Sequence, residues 1–147
     1  MLAACSSETP ATSRVFDPCK PIDVAVIDAT PEQTASVSDA LTLWSARGIT
    51  AFVISDRGAV DVEFTTGNPA VYGYADAYDG IVYVNDEVTD PAHRTVTIAH
   101  ELGHTLGLVH VPLSERASVM NAGNLTVEPT VADVDAVAAL WGSCPAP

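Results

Sequence analysis

Three of the four histidines in this 147-residue chain, His100, His104 and His110, fall inside one eleven-residue window. Nothing else in the sequence restricts the fold as strongly. His100 and His104 are four positions apart, and a helix turning about 100° per residue puts such a pair on one face, one turn apart. A helix is indicated independently. Asp90-Pro91 supplies an N-cap and a first-turn proline, and Ile98, Leu102 and Leu106 recur on one face with Ala99 beside them. Gly107, three residues after His104, can take the positive φ that ends the helix and turns the chain. That turn would swing His110 back toward the other two imidazoles. Three neutral imidazoles plus one open position is the ligand set of catalytic zinc; structural zinc is closed by four ligands. Glu101, next to the first ligand, would meet a water on the metal rather than the metal itself, taking its proton and passing it to a leaving amine. The contrary reading, surface histidines without a metal, needs a chance match on the order of one in 10⁵ for this composition and length.

Periodicity and turn residues organise the rest of the chain. Residues 22–27 (IDVAVI) and 50–55 (TAFVIS) read as strands, and Thr30-Pro31-Glu32-Gln33 opens a helix between them. In that helix Val37, Ala40, Leu41 and Trp44 recur at helical spacing, and Gly48 ends it. Val60, Val62 and Phe64 alternate as a third strand, Gly67-Asn68-Pro69 breaks the chain, and residues 71–75 and 81–85 form two more strands. Thr130 caps a last helix whose apolar residues include Val134, Val137, Ala138 and Trp141. With no repeat or internal linker, residues from about 20 to 147 are expected to form one α/β (α+β) unit with a helical tail.

HELGHTLGLVH, residues 100–110, resembles the metzincin signature HExxHxxGxxH, whose members are zinc endopeptidases. The resemblance implies a mixed, mostly parallel twisted sheet with a backing helix, an active-site helix and a C-terminal helix. It also implies one catalytic Zn2+ on His100, His104 and His110, with Glu101 as general base. Ser118-Val119-Met120-Asn121 is similar to the methionine turn of that clan, which makes Met120 a hydrophobic base beneath the imidazoles rather than a ligand. Matrixins are the closest-looking group, but Val111 after the third histidine matches no common subfamily clearly. All four tyrosines precede the signature, and Ala122 stands where astacins and serralysins carry a tyrosine ligand. Only His93 remains outside the signature, so the second, structural zinc of matrixins has no ligands here. By the same analogy residues 71–75 are the edge strand that pairs with an extended substrate, and residues 121–127 wall the pocket after the scissile bond. The composition of that wall suggests no charged preference.

The cysteines and the charge bear on location and partners. Leu2-Ala3-Ala4-Cys5 looks like the lipobox of a bacterial lipoprotein, although only Met1 precedes it; an arbitrary start with a free Cys5 is the alternative. Residues 1–18 are therefore expected to be a lipobox remnant and polar tether, and residues 19–147 the catalytic domain. Cys19 and Cys144 are left, either as a disulfide joining the two ends in an oxidising compartment or with Cys19 as a metal-blocking switch. The disulfide is the more economical, because a strand begins within a few residues of Cys19. Six basic residues against 19 acidic ones give a net charge of −13, which argues against nucleic acid, and no apolar run reaches the ~18–20 residues of a membrane span. Asp76, Asp79, Asp86, Glu87 and Asp90 offer oxygen ligands for Ca2+ or else form a solvated acidic loop, with no EF-hand spacing to decide for the ion. The expected protein is an extracytoplasmic zinc endopeptidase, lipid-anchored or secreted, monomeric, acting on protein or peptide. A catalytically silent zinc-containing surface binding module is the alternative, and such a module has no chemical need of Glu101.

Overall fold

A computed structural model describes residues 15–66 and 70–145. The Cys5 lipidation and the chain break at 67–69 lie outside the described residues. The elements run β1 (Ile22–Ile27), α1 (Pro31–Ser45), β2 (Phe52–Ile54), β3 (Val60–Thr65), β4 (Gly73–Asp76), β5 (Ile81–Asn85), α2 (Pro91–Thr105) and α3 (Val131–Trp141). One five-stranded sheet has the order β2-β1-β3-β5-β4, all parallel except β4, which runs antiparallel to β5 along the edge. This is the expected mixed, mostly parallel α/β architecture.

Alternation sets which face of the sheet is covered. Val24, Val60, Val62, Val82 and Val84 are fully buried, while Asp23 between Ile22 and Val24 is exposed. Register carries this apolar face across the strands, from Val62 to Val82 to Ala75. Two strands differ from the expectation. β2 is only three residues long and its Val53 and Ile54 are 47% and 45% exposed, as fits the opposite edge of the sheet. β4 begins at Gly73 rather than residue 71, because the Asn85 amide holds the Val71 carbonyl (3.0 Å) outside the ladder.

Each helix start is fixed by its cap. Thr30 accepts from the Gln33 backbone while the Gln33 side chain accepts from the Thr30 backbone; Asp90 accepts from His93, and Thr130 from Asp133. α1 lies against α2, with the fully buried Trp44 donating from Nε1 to the Ala99 carbonyl at 3.0 Å. Every residue of α2 from Arg94 to Thr105 is buried, so the histidine-bearing helix is central and not merely amphipathic. Arg94 reaches α1, where Nε donates to Ser36 Oγ (2.9 Å) and Nη2 to the Glu32 carbonyl (3.2 Å). From α3, Trp141 Nε1 donates to the Leu106 carbonyl at 2.8 Å.

Phe16 covers the end of α2, its amide donating to the Thr105 carbonyl (2.8 Å) and its ring packing against the core. Cys19 and Cys144 form a disulfide across 125 positions of sequence, with Cα atoms 5.1 Å apart. Cys19 is therefore a structural tie and not a metal-blocking switch. Closing so long a loop restricts the unfolded chain. Replacing both cysteines by serine should lower the unfolding free energy by about 3–5 kcal/mol in oxidising buffer. Urea titration of both proteins measures this, and reductant should bring the parent toward the variant.

Candidate metal centre and active site

The three imidazoles converge from two directions. His100 and His104 lie one turn apart on α2, and their Nδ1 atoms contact the Val119 and Leu108 carbonyls at 2.6 and 2.7 Å. A carbonyl only accepts, so each Nδ1 carries the proton and each Nε2 presents a lone pair. Gly107 has φ +94°, open to glycine with little strain, and its amide bonds the His104 carbonyl at 2.9 Å. The chain reverses there and returns His110. Ring centroids are 5.0 Å apart for His100–His104, 5.2 Å for His100–His110 and 5.0 Å for His104–His110, a nearly equilateral triangle.

Within that triangle His100 Nε2 and His110 Nε2 are 3.3 Å apart. Two nitrogens on one tetrahedral zinc, each bonded at 2.0–2.1 Å, would be separated by about 3.3–3.4 Å. Burial pushes His100 down to about 4 and His104 to about 3, and lowers His110 as well. All three are thus neutral near pH 7, the form that binds a metal. Among the described residues they are the only group of three or more His, Cys, Asp or Glu side chains whose ligand atoms approach within 4.8 Å. The donor set and its spacing fit zinc.

Glu101 follows His100 and is only 1% exposed. It lines a cavity of about 10 Å³ together with Tyr72, Gly73, Thr97, His100, Gly123 and Asn124. That is room for a single water. Tyr72 and Gly73 at the start of edge strand β4 form one side of this cavity, and Gly123 and Asn124 after the Met120 turn form the other.

Met120 is 1% exposed and lies beneath the helix. A Cβ at Gly103, between the two helical histidines, would stand 2.5 Å from Met120 Sδ. Helix propensity alone favours alanine over glycine by about 1 kcal/mol, but this contact reverses the sign. Gly103→Ala should destabilise the protein by about 1–3 kcal/mol in thermal or urea unfolding. Adding Met120→Ala should give a double variant more stable than the two separate losses would sum to.

The turn that carries Met120 is held by Asp133, a fully buried residue of α3 absent from the sequence expectations. Its carboxylate accepts from Ser118 Oγ, from the Val119 amide (3.0 Å), from Arg116 Nη1 (2.8 Å) and from the Thr130 amide (2.9 Å). Val119 thus joins two tasks: its amide is fixed by Asp133 and its carbonyl orients His100. Burial pushes the Asp133 carboxyl up, but the bonds from Ser118, Thr130, Arg116 and Val119 outweigh it and hold the pKa below its ordinary value. The sequence signal was Thr130-x-x-Asp133, a capping pattern; nothing local marks the tie to Ser118 and Val119.

His93 sits half-buried in the first turn of α2, its amide bonded to Asp90 Oδ1 at 2.9 Å. Val111 packs half-buried against the core, its amide on the Met120 carbonyl at 3.0 Å. The five acidic residues between 76 and 90 do not gather into a site among the described residues. Asp76 accepts from the Asp79 amide, Asp86 from Gln33 Nε2, and Asp90 caps α2.

No protein-family model matches the chain, and no curated protein does. Solved structures do. One structure of myroilysin aligns with a TM-score of 0.69 at 15% identity, covering 95% of this chain and 91% of that one. A second myroilysin structure aligns at 0.56 and 19% identity, covering 97% of this chain and 71% of the other. Archaemetzincin from Methanopyrus kandleri aligns at 0.53 and 17% identity, with coverages of 86% and 88%. The chain shares the fold of these proteins along nearly its whole length, as the metzincin signature led us to expect.

Proposed function

We propose that this protein is a zinc-dependent endopeptidase of the metzincin type. One observation carries the reading: three neutral imidazoles, two buried and one half-buried, converge at zinc-compatible spacing beside a buried carboxylate. When bound by His100, His104 and His110, zinc supplies a Lewis acid and lowers the pKa of a coordinated water. The chain's own groups do the rest. Glu101 accepts a proton on a carboxylate oxygen and returns it to the leaving amine nitrogen. Among the described residues β4 has no strand on its outer side, so its backbone can pair with an extended peptide and align it across the site. Val119 and Leu108 hold two ligand rings in their orientation, and Asp133 holds Val119.

The disulfide supports an extracytoplasmic location, and Cys5 would add a lipid anchor there. The silent binding module is the weaker reading. A water-sized cavity lined by Glu101 and His100 suits proton transfer and has no use in a module that only binds. Metal analysis after dialysis tests the centre itself. The wild type should retain one equivalent of zinc and His104→Ala much less, with peptide cleavage abolished by a chelator and restored by zinc. A wild type that retains no zinc would overturn the assignment.

A further inference from the structure

We propose that the cleft selects a lysine or arginine side chain of the substrate, and that Glu87 and Asp90 are the residues that select it. This rests on the peptidase reading and names the substrate class of the same site. A second cavity, of about 280 Å³, adjoins the small one beside Glu101, and Tyr72 lines both. Its wall includes Leu125, which belongs to the 121–127 segment that the sequence pointed to as a pocket wall without charged preference. The facing wall is the connection from β5 into α2, and it brings Glu87 and Asp90 to the same space. The charge of the pocket therefore comes from a segment that the sequence does not associate with it.

The electrostatics are one-sided. No lysine or arginine lines the cavity, and the nearest arginine in sequence, Arg94, turns away to Ser36 and the Glu32 carbonyl. Among the described residues neither carboxylate has a lysine or arginine within 4.0 Å. The one cation-forming group in the lining is His93, whose Nδ1 is 4.0 Å from Asp90 Oδ1. A substrate ammonium or guanidinium in this space would gain two carboxylate partners, with the Tyr72 ring as a further cation-binding surface. An apolar side chain would displace water from both carboxylates and return nothing, and an acidic one would be repelled. Two partly exposed charge pairs discriminate by roughly tenfold together.

The chain's net charge of −13 would draw basic peptides to any part of the surface, so the test must separate the cavity from the bulk. Peptides identical but for one residue, scanned through Arg, Lys, Leu and Glu at successive positions, are titrated by fluorescence anisotropy into the zinc-loaded Glu101→Gln protein. At one position Arg and Lys should bind about tenfold more tightly than Leu. Adding Glu87→Gln and Asp90→Asn should reduce that preference to about twofold or less, while Asn preserves the helix cap. Adding instead Asp23→Asn and Glu63→Gln removes the same charge from the far face of the sheet and should leave the preference intact. The proposal is overturned if no position favours a basic residue, or if the far-face pair removes the preference as fully as the cavity pair. Failure of the wild type to cut any peptide would sink the peptidase reading and leave this binding result standing. Cleavage without a basic preference would sink the proposal alone.

Discussion

Glu101→Gln should lower kcat for peptide hydrolysis by about 10²–10⁴-fold while zinc content stays at one equivalent. The side chain is almost wholly buried beside His100, and glutamine keeps its size and much of its hydrogen bonding. What it loses is the ability to take up a proton and release it to the amine. KM should change little, because the carboxylate acts on the reacting atoms and does not hold the peptide. Steady-state kinetics with parallel metal analysis separates the outcomes. Wild-type turnover in a zinc-replete variant would remove Glu101 from the mechanism, and loss of zinc together with activity would make it a structural residue.

The second large effect is expected at Asp133, far from any substrate. Asp133→Ala leaves the Val119 and Thr130 amides and Ser118 without their acceptor in a buried setting and strips Arg116 of its partner. The cost should be at least about 3 kcal/mol. The pH dependence has a definite sign. The folded pKa lies below the ordinary value of 3.8, so the contribution is complete above that value and is lost as pH falls through the lower, folded pKa. Asp133→Asn should therefore be less stable than wild type near pH 7, with the gap closing as pH drops below about 4. Urea midpoints measured from pH 7 down to pH 3 give the comparison. A constant gap throughout would show that the carboxylate's ionisation contributes nothing. With Val119 released, kcat should fall more than KM rises, because His100 loses its orientation.

Which features were legible in the sequence follows from the range of the interactions involved. The His100/His104 pair and the turn at Gly107 are local, and spacing alone located them. The caps at Thr30, Asp90 and Thr130 are equally local, and each is found at its expected helix start. The Cys19–Cys144 pairing was accessible because setting Cys5 aside left one pair. Other features depend on contacts that no window of sequence contains. Arg94 is buried against α1, a contact that nothing around it in the sequence marks. Thr130 reads as a cap, but nothing local shows that the Asp133 carboxylate paired with it also organises the turn at 118–121. Phe16 lies in a stretch that reads as polar tether, and only the end of α2 gives it a surface to cover. The acidic side of the second cavity was missed for the same reason, since 87–90 and 121–127 meet only in the folded chain.

The most direct test of the central claim is mass spectrometry of a mixed peptide library incubated with the zinc-loaded wild-type protein. New termini from cuts inside the peptides should appear, and be absent when a chelator is present. A preparation that holds one equivalent of zinc and leaves every peptide intact would contradict that claim.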